Sequence, residues 1–210
     1  MSRSPRVEAL QEAAISVVAA HGLRGLTHRA VDTRAGVPAG STSYYFRTRR
    51  ALLRGVAEFI AERELADIGA ARIMPDFVDE PPVRQAADLL AGVLAHWLGP
   101  ARDRTRARLE IWLLVGAHPE TRAALEQVRE RFLEQSRILL EAAGHMAPDQ
   151  DAHLVAAFVE GLTYDGIAHS APGPVDRAVL RRAVETILQV VVGRASETGQ
   201  TGQAEGQSPR

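Results

Sequence analysis

An all-α fold in two parts, a small basic head and a larger helical body, is what the sequence predicts, and three observations carry that prediction. Apolar residues recur at three- and four-residue spacing through most of the chain, with no period-2 stretch. A helix–turn–helix pattern lies between Thr27 and Arg49. The charge is uneven. Residues 1–56 carry nine Arg against three acids, and the remaining residues carry 16 Arg against 23 acids, although the net charge of the whole is only −1. A basic head on an acidic body points to a polyanion partner for the head alone.

Residues 1–5 form a polar arm, which is either disordered or touches a nucleic-acid backbone through Arg3 and Arg6. Val7, Leu10, Ala14, Val17 and Val18 make the stripe of a first amphipathic helix that His21-Gly22 ends. Thr27 suits the N-cap of a second helix reaching about Arg34, and Ala35-Gly36-Val37 breaks it. Pro38 suits the first turn of a third helix carrying Ala39, Gly40, Ser41, Thr42, Ser43, Tyr44 and Tyr45. This small, polar, acid-free segment is followed at once by Arg47, Arg49 and Arg50. Phosphates repel carboxylates and attract guanidinium groups, so the segment suits a groove of duplex DNA. Thr48 caps a fourth, long helix to about Ala71, with Leu52, Val56, Phe59 and Ile60 inward.

The segment LTHRAVDTRAGVPAGSTSYYFRTRRALL resembles the DNA-binding part of TetR-family transcriptional regulators, over about Val7 to Val56. Thr27 matches the threonine that opens the family's second helix, Ala35-Gly36-Val37 its turn, Tyr45-Phe46 the aromatic pair ending its third helix, and Arg49 its basic phosphate contact. The chain departs from the family at Asp32, where alanine is usual, and at Ser41, Thr42 and Ser43, where threonine, leucine and tyrosine are common. The resemblance implies a repressor that binds a palindromic operator as a homodimer and responds to a small molecule. Thr27, Tyr45 and Arg49 are then expected on phosphates, with Arg47 also among the DNA-binding residues. His28, Arg29, Ala39, Ser41, Thr42, Ser43 and Tyr44 are expected near base edges, Arg29 on guanine, on a phosphate or in solvent, and Gly40 is expected to let the helix approach the DNA closely.

The body follows. Residues 74–82 are acidic and Pro-rich and read as a loop. Helices are expected from Val83 to Leu98, from a basic Arg102–Arg108 lead-in to Gly116, from Pro119 to about Gly144, from Pro148 to about His169 and from about Asp176 to Gly193. That makes about nine helices. The domain boundaries are 1–50 for the head, 51–194 for the ligand-binding and dimerisation body, and 195–210 for a disordered tail. The last two helices, about 149–170 and 176–193, are apolar on more than one side, which suits a two-fold interface built as a four-helix bundle. Trp97, Trp112, Phe132, Phe158, Tyr164 and His169 are the candidates to line an effector pocket, their alternative being plain core.

The chain has no cysteine, which excludes disulfides, thiolate metal sites and cysteine nucleophiles. It shows no HExxH, Gly-x-Ser-x-Gly or phosphate-loop motif, so a helical enzyme is the minor alternative and no metal or cofactor is expected. A regulator answering to a protein rather than a small molecule stays open. The N-terminus has no apolar signal core and no apolar run approaches the ~20 residues of a membrane span, so a cytoplasmic location is expected.

Overall fold

In the computed structural model, residues 4–70, 82–115, 119–142, 145, 148–171 and 173–204 are described. Among them, nine α-helices occur and no strand: α1 (Pro5–Gly25), α2 (His28–Ala35), α3 (Ser41–Tyr45), α4 (Arg49–Ala70), α5 (Pro82–Leu98), α6 (Arg102–Val115), α7 (Pro119–Ala142), α8 (Pro148–Ala168) and α9 (Arg177–Ala204). The chain divides into two compact units, Met1–Ala66 with Pro100–Arg129, and Asp67–Gly99 with Glu130–Arg210.

In the first unit α1 packs against α2 and α6, and α2 against α3. Its core gathers Leu10, Val18, Leu26, Val31, Leu52, Val56, Phe59, Ile60 and Ile111, with Trp112 packed against it. The inward stripe expected on α4 is buried throughout. Gln11 donates from Nε2 to the Gly55 carbonyl at 2.6 Å, tying α1 to α4. Glu64 of α4 and Arg108 of α6 form a buried ion pair, Oε1 to Nε 3.0 Å, with side chains 0% and 3% exposed.

Four helix starts follow from capping chemistry among the described residues. Ser4 accepts from Arg6 N–H, Thr27 from Ala30 N–H, Thr48 from Ala51 N–H and Asp176 from Ala178 N–H. Gly36 ends α2 in the left-handed region, and its N–H bonds back to the carbonyls of Asp32 and Thr33. The backbone breaks at Gly22 (φ 67°), where the sequence put the end of α1, and a further turn carries on to Gly25. Two accessory side chains hold that turn. Glu110 of α6 accepts from Leu23 N–H at 3.0 Å, and Arg49 donates to the carbonyls of Leu23 at 2.5 Å and Leu26 at 3.2 Å.

In the second unit α5 packs on α9 and α8, and α8 also touches α9. Gly166 lets α8 approach α5: a Cβ there would sit 2.6 Å from Leu98 Cδ2. The ion pairs Arg84–Glu185 and Arg181–Asp88 join α5 to α9. The acidic Pro-rich loop expected at 74–82 lies outside the described residues, apart from Pro82, which opens α5. The expected stop of the last helix at Gly193 does not occur, because α9 runs to Ala204. One glycine inside a helix costs only about 1 kcal/mol relative to alanine, too little to end it. Residues 205–210, the end of the expected tail, lie outside the described residues. No helix among the described residues is long and apolar enough to cross a membrane.

Candidate nucleic-acid interface

The third helix is shorter than its sequence suggests. Pro38, Ala39 and Gly40 form a turn in which Ser41 N–H bonds to the Pro38 carbonyl at 3.1 Å, and the helix begins only at Ser41. Gly40 sits at the N-cap with φ 91°. Side-chain-bearing residues rarely adopt that angle, so the backbone geometry by itself calls for glycine here.

α3 turns its residues in distinct directions. Thr42 is wholly buried. Ser41 is half-buried and donates from Oγ to the Pro38 carbonyl at 2.7 Å. Ser43 is exposed, and Tyr44, at 78%, is the most exposed large residue of the segment. Tyr45 is 42% exposed and meets the Tyr44 ring edge-on at 5.0 Å. With about 100° of rotation per residue, Tyr44 points almost opposite Thr42, flanked by Ser41 and Ser43. The burial of Thr42 corrects the expectation that it reads a base, since its hydroxyl is donated inward.

The acceptor of that hydroxyl is Asp32 of α2, itself 4% exposed. Its Oδ1 takes Thr42 N–H at 2.7 Å and Thr42 Oγ–H at 2.5 Å, and its Oδ2 takes Gly40 N–H at 2.8 Å. Burial pushes the Asp32 carboxyl upward, but the Thr42 side-chain bond, the Thr42 and Gly40 backbone bonds and the nearby His28 outweigh it, leaving the group below its ordinary value. Sequence reading counted Asp32 only as a departure from a family pattern and missed this role. The available signal was its isolation as the sole acid between Glu12 and Glu58.

His28, expected near a base edge, is half-buried and donates from Nε2 to the Phe46 carbonyl at 2.5 Å, joining α2 to the end of α3. Phe46 packs over α4 at Gly55, where a Cβ would lie 2.5 Å from the ring. Thr27, Arg29, Ala39, Arg47 and Arg50 are exposed. Arg49 is exposed as a residue, yet two of its guanidinium nitrogens are committed to the carbonyls ending α1. Ala39, Ser43 and Tyr44 are thus exposed on the same short segment as Arg47 and Arg50, with Arg29 exposed on α2.

Of the six residues suggested for an effector pocket, Trp97 meets Phe132 and Tyr164 meets His169. Trp112 belongs to the first unit and packs on its core. Trp97 and Phe132 are buried together in the second unit, ring centroids 6.0 Å apart. Phe158 is half-buried. Tyr164, 52% exposed, and His169 meet edge-on at 6.2 Å. A groove of about 370 Å³ in the second unit is lined by other residues, among them Asp67, Asp88, Leu89, Gly92, His96 and Arg177.

Residues 10–56 match the family model described as bacterial regulatory proteins, tetR family. Residues 81–190 match that described as tetracyclin repressor-like, C-terminal domain. Among solved structures, a transcriptional regulator from Rhodococcus sp. Rha1 superposes with TM-score 0.74 at 21% identity, over 90% of this chain and 97% of that one. A TetR-family member from Streptomyces coelicolor A3 gives TM-score 0.64 at 28% identity, over 88% and 98%. The multidrug binding protein EbrR complexed with imidazole gives 0.59 at 28% identity, over 89% and 96%. No curated protein matches the chain.

Proposed function

Because the chain belongs to the TetR family of DNA-binding transcription regulators, we propose that it is a repressor that reads a palindromic operator as a homodimer and releases it when a small molecule binds the second unit. The observation that carries the reading is the α3 face. Ser43 and Tyr44 are exposed on an acid-free segment with Ala39, Arg47 and Arg50, and Arg29 is exposed on α2. Such a face can enter the major groove while these arginines and Thr27 meet phosphates. Tyr45 and the outward edge of Arg49 join those contacts.

Self-association is supported by an uncovered stripe on α8. Leu154, Ala157, Gly161, Tyr164 and Ala168 repeat at three- and four-residue spacing and are all exposed. Val179 and Val190 of α9 are 49% and 46% exposed. Two such helices from each of two chains make a four-helix bundle, with the small residues allowing close packing. Tyr164 then belongs to the dimer contact rather than to an effector pocket. A small-molecule effector is supported by EbrR, solved with imidazole and with ethidium. The expected cytoplasmic location follows from a DNA target.

The test is selection of bound duplexes from a random pool, together with light scattering on the wild-type chain and on Gly161→Glu. The wild type should select inverted repeats and have the mass of a dimer. A Cβ at Gly161 meets no atom within 4 Å in the single chain, so Gly161→Glu should give a folded monomer that selects nothing. Selection of single half-sites by a monomeric wild type refutes the dimeric reading.

A further inference from the structure

We propose that Asp32 is a positioning residue for DNA reading: from α2 it sets the rotation of α3, and sequence discrimination depends on it although it touches no DNA. The inference rests on the DNA-reading assignment above. A helix of five residues is too short to hold itself, since nucleation fixes several residues for one hydrogen bond. Such a helix leans on its N-cap, whose side chain normally accepts the N–H of the second or third helical residue. Here the N-cap is Gly40, which has no side chain and gives no cap bond.

Asp32 supplies the missing chemistry from the preceding helix. Its Oδ1 accepts the N–H of Thr42, the second helical residue, which is the bond a cap side chain would make. Its Oδ2 accepts the N–H of Gly40, the bond that the returning carboxylate of a capping box makes to the cap residue. One carboxylate in trans thus performs both halves of a capping box. The third bond, from Thr42 Oγ–H, fixes rotation about the helix axis as well as the start of the helix. A rotation of one residue, about 100°, would exchange the buried Thr42 for a neighbour and turn Tyr44 away from the reading face. Phosphate contacts made from Arg29, Arg47 and Arg50 do not depend on that rotation in the same way. Loss of the clamp therefore removes discrimination while leaving general DNA affinity.

The experiment compares the wild type with Asp32→Asn, Thr42→Ser and Thr42→Val. Each is titrated, at one salt concentration, against a duplex selected by the wild type and against a random-sequence duplex. Thermal midpoints and amide exchange at Gly40 and Thr42 are recorded. Asp32→Asn keeps the shape but loses the charge and opposes Gly40 N–H with an amide N–H. It should bind the selected duplex about tenfold to a hundredfold more weakly, the range one charge-assisted hydrogen bond spans, with faster exchange at Gly40. Its affinity for the random duplex should stay within about threefold of wild type, as phosphate contacts carry that term. Thr42→Ser keeps the hydroxyl and should discriminate like the wild type. Thr42→Val keeps the shape and both backbone bonds to Asp32 but loses the hydroxyl bond that fixes rotation. It should stay folded while discriminating less well than Thr42→Ser, and it serves as the readout if Asp32→Asn does not fold. Equal discrimination by Asp32→Asn, or by Thr42→Val where Asp32→Asn does not fold, overturns the proposal. A wild type that binds neither duplex overturns the DNA-reading assignment itself.

Discussion

Replacing Glu64 by glutamine isolates the cost of a buried charge left without its counter-ion. Glu64 on α4 and Arg108 on α6 meet at 3.0 Å with side chains 0% and 3% exposed. At an effective dielectric near 20, their attraction is about 5 kcal/mol. Removing two ions from water costs several kcal/mol each, so the intact pair contributes little net stability. Removing one charge is different: the guanidinium of Arg108 stays buried while its carboxylate is gone, at a cost of about 3–5 kcal/mol. The chain supplies its own reporters, because Trp112 lies in the first unit and Trp97 in the second. In a Trp97→Phe background, urea titration followed by tryptophan fluorescence reads the first unit. Glu64→Gln should lower that midpoint by the equivalent of about 3–5 kcal/mol, and a companion Glu64→Leu with Arg108→Met should fall within about 1 kcal/mol of wild type or exceed it. A single glutamine variant that costs less than about 1 kcal/mol would show that the burial is not what sets the energy.

Further expectations bear on the reader and the second unit. Arg49→Lys keeps the charge but loses the fork that grips the Leu23 and Leu26 carbonyls. It should therefore lower the thermal midpoint while leaving the slope of log affinity against log salt in place, whereas Arg49→Ala should also flatten that slope by about 1. The Asp32 carboxyl is held below its ordinary value in the folded chain, so the stability it contributes is present above the unfolded-state pKa of about 4 and is lost as pH falls through the folded value. Asp32→Asn should accordingly flatten the acid limb of the stability profile, and an unchanged limb would remove Asp32 from it. Gly166→Ala places a Cβ 2.6 Å and 2.8 Å from the two methyls of Leu98. Such overpacking costs about 1–3 kcal/mol, offset by roughly 1 kcal/mol of alanine's helix propensity, so the net loss should be about 0–2 kcal/mol, read by the same titration with Trp97 as the reporter.

The helices were legible wherever local chemistry sets them. Thr27, Thr48 and Asp176 announce starts through their own side chains, and the α4 stripe follows from spacing alone. The start of α3 was not legible, because Pro38 fits a first helical turn and an ordinary β-turn equally well, and only the positive φ of Gly40 decides between them. Five residues are also too few to show periodicity, so the inward turn of Thr42 had no signature. The residues that hold the reader in place were hidden for another reason. Glu110, which accepts from the Leu23 amide, and the Glu64–Arg108 pair act over long range, while each of these charged residues looks like an ordinary surface charge on its own helix. The small residues of α8 divide: Ala157 and Gly161 lie on the exposed stripe, whereas Ala152 and Ala156 are buried and Gly166 faces Leu98, a split that helical spacing alone did not show.

The turn after Gly22 has a consequence for what substitution can reach. Leu23 presents its amide hydrogen to an acid on α6 and its carbonyl oxygen to a base on α4. An anion and a cation borne by two different helices are thereby wired together through a single peptide backbone. Any side chain may replace leucine without cutting that wire, and proline alone breaks it from within by deleting the hydrogen. Drift at position 23 is thus policed only by the apolar core, while the polar linkage is inherited through residues 49 and 110.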